Sequence, residues 1–198
     1  MVVSKRGYIG DEGDDEAEPR SGLAAWLAAE KKDHLLICDG LERLADQLPN
    51  RIDETLVAAL LTVIEPSWHD HMRCHRELIT PLLSTVRKRV PEIVTELALL
   101  DREHFQIAGI NDEVLEQLTR LATRAPVNYE TLGYILRCAF DGRRRHFEWE
   151  ASLFGRVLIS GNDPGDMAQA EAWCTSKQRP ALPEALTARR TSRGEALN

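Results

Sequence analysis

The sequence predicts an all-α protein, an up-down-up-down four-helix bundle with disordered N-terminal and C-terminal tails. Three observations predict it. Apolar residues recur every three or four positions through four long segments, a spacing that collects them on one face of a helix. Short breakers such as "LPN" (48–50) and "TRAPVN" (123–128) separate segments, so neighbours run antiparallel. No segment alternates apolar and polar residues as a half-buried strand does. The 198 residues suffice for one domain with a core. The expected division is a disordered acidic tail at 1–20, the bundle at 21–160, and a short helix with a flexible tail at 161–198.

Ser21 is placed to cap the first helix, whose stripe is Leu27, His34, Leu41 and Leu48, broadened by Cys38 and Ala45. The second starts near Ile52 and carries Leu56, Leu60, Ile64, His71, His75, Leu78 and Leu82. Pro66 inside it predicts a kink or a fresh start, and Pro81 a bend or an end. Pro91 fits the start of the third helix, with Ile93, Leu97, Leu100, His104, Ile107, Val114, Leu118 and Leu121 facing in. The fourth spans about 129–159 and turns Leu132, Ile135, Ala139, His146, Glu150, Leu153 and Val157 inward. "SGNDPGD" (160–166) closes it, and a short helix is expected near 167–176.

A net charge of -7 argues against a nucleic-acid partner and against docking on an anionic membrane. No apolar run approaches the roughly 20 residues that span a bilayer. The first twenty residues carry no apolar stretch of a secretory signal, so a cytoplasmic location is expected, with Cys38, Cys74, Cys138 and Cys174 as reduced thiols.

Every helix places a histidine on its apolar stripe. The first gives His34, the second His71 with His75, the third His104, and the fourth His146 with Glu150. A single histidine is followed by a pair at i, i+4 in each half, which reads as a duplicated hairpin. The i, i+4 spacing puts both donors on one face a turn apart. Donors converging to about 2.0–2.2 Å of one point make a metal site, and two halves facing each other would make a dinuclear one. Histidine and carboxylate mixtures suit iron, zinc or manganese better than copper(I). The rest reads more plainly. His69 faces solvent, Cys38 and Cys74 are small core residues, and Trp26, Trp68 and Trp149 pack the ends or interface. Asn111 and Gly142 are tolerated irregularities or openings for a small ligand, and "DGRRRH" (141–146) is a solvated basic face.

Over about residues 22–158 these motifs resemble the hemerythrin-like (HHE) family. "DHLLICDGLERLAD" carries His34, "HMRCHRELITPLL" carries His71 and His75, "LLDREHFQIAGI" carries His104, and "RRRHFEWEASLF" carries His146 and Glu150. The resemblance implies a non-heme iron site, typically diiron, with His34, His71, His75, His104, His146 and Glu150 as metal ligands. It implies a protein that binds dioxygen or nitric oxide, or senses redox or iron status. A non-enzymatic role is the expectation, and an oxygen-activating diiron oxidase stays as a further reading, ranked last because the site is poor in carboxylates. His75 stands where the family usually has glutamate. A mononuclear site, a mixed site, another metal and a bundle that has lost its metal therefore all stay open. In the last case the chain would be an interaction or regulatory module. A shift of one turn in the first helix would bring Lys31 inward instead of His34. No protein partner is specified.

Overall fold

The computed structural model describes residues 22–86, 93–159 and 163–187. The acidic tail, the Ser21 cap, the Pro91 start, residues 160–162 and the last eleven residues lie outside the described residues. The described chain is helical, with no strand among the described residues. Its elements are α1 (Gly22–Gln47), α2 (Glu54–Cys74), a π-helical turn (His75–Ile79), α3 (Thr80–Val86), α4 (Ile93–Ala122), α5 (Tyr129–Ile159), α6 (Pro164–Ser176) and α7 (Glu184–Thr187). None of the described helices is long and apolar enough to cross a membrane.

Local chemistry sets the helix starts. Asp53 Oδ1 accepts from the N–H groups of Thr55 (2.9 Å) and Leu56 (3.1 Å) at the head of α2. Asn128 Oδ1 accepts from Thr131 N–H (3.0 Å) before α5, and Asp163 Oδ1 from Gly165 N–H (2.8 Å) before α6. Each cap satisfies amides that have no partner inside the helix.

Of the two outcomes expected at Pro66, the fresh start does not occur, and α2 runs through it. Pro66 lies on the exposed face, where water can meet the carbonyl that loses its amide partner. Pro81 does not end the helical run either. The turn before it widens to π geometry, with Thr80 N–H bonded to His75 O, and helix continues to Val86. That wider turn gives the proline ring room against the preceding backbone. It also changes the phase of the buried face, so Leu78 and Ile79, then Leu82 and Leu83, are all buried.

Helix α1 packs on α2 and α5, and α4 on α2 and α5. Two apolar clusters fill the space between them. The first is built from Ile37, Leu41 and Leu44 of α1, Leu56, Leu60 and Ile64 of α2, Val114 and Leu118 of α4, and Leu132 and Leu136 of α5. The second holds Leu23 of α1, Cys74 of α2, Leu100 of α4, and Leu153 and Phe154 of α5, with Leu78, Leu82 and Ile93. Helices α1 and α4 therefore run from the second cluster to the first, and α2 and α5 run back. Between the clusters lies a buried polar layer of Glu30, His34, His71, His75, His104, Asn111, Arg143, His146 and Glu150.

Residues 177–187 do not stand off as a tail. Leu186 of α7 is buried in the first cluster, and Arg43 Nη2 donates to Ala185 O at 2.6 Å. Gly40 makes this possible, because a Cβ there would lie 2.5 Å from Leu186 Cδ2.

Candidate metal centre

His71 is fully buried near the end of α2. Its Nε2 lies 3.2 Å from His104 Nε2 on α4, 3.5 Å from His146 Nε2 on α5 and 3.9 Å from Glu150 Oε1, one turn after His146. Glu150 Oε2 is 3.9 Å from His146 Nε2. Four donors held about 2.0–2.1 Å from one ion in a tetrahedron sit roughly 3.3–3.4 Å apart. The contacts span that value, and all four donor atoms lie within 4.8 Å of one another. His71, His104, His146 and Glu150 are close enough to hold a metal ion.

Two carboxylates orient the rings from behind. Glu30 Oε1 on α1 lies 3.2 Å from His71 Nδ1, and Glu103 Oε2 on α4 lies 3.2 Å from His146 Nδ1. A carboxylate at Nδ1 draws the ring proton there and leaves the Nε2 lone pair facing the centre. Burial pushes the His71, His104 and His146 imidazoles below their ordinary value, toward the neutral form that binds metal. Burial alone would raise the Glu150 carboxyl, but the facing imidazoles of His71, His75 and His146 hold it below the usual range. Burial pushes Glu30 up to about 7, against the opposing pull of His75 and Arg179.

The other two expected ligands are not among these four donors but border them. His75 is buried, with its ring centroid 4.4 Å from that of His104, and its Nε2 contacts Glu150 Oε1. His34 is buried in the predicted register, stacked on Phe147 with centroids 4.2 Å apart, while Lys31 points outward to Glu148 at 2.9 Å. His34 joins Glu30 and His71 in a second group of potential donors.

Several further side chains around the centre are not among the expected site residues. Glu30 and Glu103 are two. Arg143 is another: it belongs to the run expected to be a solvated face, yet it is 1% exposed. Only its neighbours behave as expected, with Arg145 exposed and Arg144 paired with Asp39 (2.6 Å) and Glu42 (2.7 Å). Asn111 is no mere irregularity, because its Oδ1 accepts from Arg143 Nε (3.2 Å) and Nη2 (2.6 Å). Trp68 lies in the same layer, its ring 5.0 Å from His71 and 5.5 Å from the Arg143 guanidinium carbon. His69 is exposed and Cys38 and Cys74 are buried, as expected. Burial pushes the Cys38 thiol up to about 11, a poor thiolate.

A cavity of about 310 Å³ opens between α1 and α5 and reaches the layer. Leu27, Ala28, Phe147 and Gly155 line its walls, and Glu30 and Glu150 lie on its inner side. Gly142 lines a separate groove between α4 and α5 with Ile107, Tyr134 and Arg137. No family model, curated protein or solved structure matches this chain.

Proposed function

We propose that the chain is a hemerythrin-like, up-down-up-down four-helix bundle holding a non-heme metal ion, iron first. In this reading it binds dioxygen or nitric oxide at that ion, or registers redox or iron status through it. The observation that carries the reading is the placement of carboxylates behind His71 and His146, with Glu30 and Glu103 each 3.2 Å from an Nδ1 and the two Nε2 atoms 3.5 Å apart. Where these carboxylates are ionised they accept from the Nδ1 N–H groups, and the Nε2 lone pairs face each other. Two buried lone pairs pointed at one another are repulsive, and a cation between them reverses the sign. Three imidazoles and a carboxylate suit iron, zinc or manganese.

When bound, iron supplies a redox-active ion with coordination positions beyond the four protein donors. The chain's own residues hold and shield the site. Glu30 and Glu103 fix the rings, the two apolar clusters keep water from entering along the bundle axis, and the α1–α5 cavity gives a small molecule a route to Glu150. The opposed helix directions and the short stretches at 48–53 and 123–128 support the topology.

The test is metal content per chain in protein produced with iron and purified without chelator. We expect bound metal in the wild type, its loss in His146→Ala and Glu150→Ala, and a melting temperature that rises with metal only in the wild type. Wild-type protein that stays metal-free after anaerobic reconstitution refutes the reading.

A further inference from the structure

The polar layer contains more donors than one ion needs. Glu30, His34 and His71 form a second group whose donor atoms also lie within 4.8 Å of one another. This is the half in which the sequence suggests a second ion. Another cation already stands beside it. Arg143 Nη1 is 3.4 Å from His34 Nδ1, while Nε and Nη2 both donate to Asn111 Oδ1. No carboxylate pairs with this guanidinium among the described residues, and the Trp68 ring lies against it.

We propose that Arg143 is a built-in cation taking the place of a second metal ion, so that the chain holds one ion, at His71, His104, His146 and Glu150, and His34 is not a ligand. The inference rests on the metal-centre reading above. Two arguments carry it. The first is chemical. A neutral imidazole has one lone pair and one N–H. His34 uses the Nδ1 lone pair to accept from Arg143, so Nε2 carries the proton and has nothing to give a metal. The second is electrostatic. Glu30, Glu103 and Glu150 bring at most three negative charges to the centre, because burial pushes the Glu30 carboxyl up to about 7. One divalent ion and the guanidinium bring three positive charges and already match that maximum. A second divalent ion would leave an excess of at least two, which low-dielectric surroundings penalise heavily.

The test is a titration of metal-free protein with Co²⁺, read by calorimetry and by elemental analysis of ions per chain. The wild type is expected to take one ion, and His34→Ala also one, with little change in affinity. Arg143→Gln removes the positive charge and should bind about tenfold more tightly, whereas Arg143→Lys keeps the charge and should not. Asn111→Asp is the safer variant for folding. Asn111 Nδ2 has no partner among the described residues, so an oxygen there loses no hydrogen bond and adds a counter-charge. It too should bind about tenfold more tightly. Two ions per wild-type chain, with the second missing from His34→Ala, would overturn the inference alone. So would Asn111→Asp and Arg143→Gln proteins that are folded by circular dichroism yet bind no more tightly than the wild type. A wild type that takes no ion at all refutes the metal-centre reading itself, and the inference with it.

Discussion

Glu103 touches none of the four donor atoms, yet it sets how one of them is presented. It takes the Nδ1 proton of His146 from a position on the neighbouring helix. Carboxylates in this role typically matter 10–100-fold for metal affinity, roughly. Glu103→Gln keeps the shape and loses the charge, so it should weaken binding by about that factor while leaving the metal-free fold intact. A competition titration against a chromophoric chelator measures it. Such backing residues differ in how readable they are. Glu30 sits four residues before His34, the same spacing as His71 with His75 and His146 with Glu150, so the periodicity contains it. Glu103 carries no such signal, because only the packing of α4 on α5 brings it to His146. Arg143 falls on the inward register four residues after Ala139, but three consecutive arginines look like a wet face. Its burial becomes visible only when Asn111 and His34 come from two other helices to receive it.

The four long helices were readable as elements because each carries a sustained apolar stripe, and the structure buries most of those positions. Ile135 of α5 is only half-buried, with Leu136 inside instead. Neither proline ends the helical run, because proline chemistry depends on its setting: Pro66 is exposed inside α2, and before Pro81 the regular α run gives way to a π turn. The docking of α7 was not readable, since "EALT" is too short to show a period. It depends on the missing side chain at Gly40. Gly40→Ala would set a methyl 2.5 Å from Leu186 Cδ2 and 3.2 Å from Leu60 Cδ2. We expect it to push α7 off the bundle and to cost about 1–3 kcal/mol through overpacking. Limited proteolysis within 177–187, compared with wild type, reads the first effect, and a urea midpoint reads the second.

At the scale of the molecule, the buried imidazoles tie stability to pH in the metal-free protein. His34, His71, His104 and His146 all titrate below the ordinary 6.5 when folded, chiefly through burial. As pH falls through about 6.5 the unfolded chain takes up protons at these positions and the folded chain does not, so stability is lost toward acid. Glu30 acts in the opposite sense. Its folded carboxyl keeps a proton up to about 7, so its contribution is lost as pH rises from 4.5. Four groups outweigh one, and the urea midpoint of metal-free protein should climb between pH 4.5 and 6.5. A flat or falling midpoint across that window contradicts the burial of the histidine layer.

The two apolar clusters differ in what they contain. Trp26, Trp149 and Trp173 pack against the second cluster and Trp68 lies in the polar layer, while no tryptophan belongs to the first. Intrinsic fluorescence therefore reports from the second cluster and the polar layer, whereas far-ultraviolet circular dichroism sums over the first cluster as well. Without metal, the buried polar layer separates the two apolar clusters at mid-height, and the two signals should follow different unfolding curves. A metal ion drawing donors from α2, α4 and α5 should bring the curves together, because it ties three helices at one plane between the clusters.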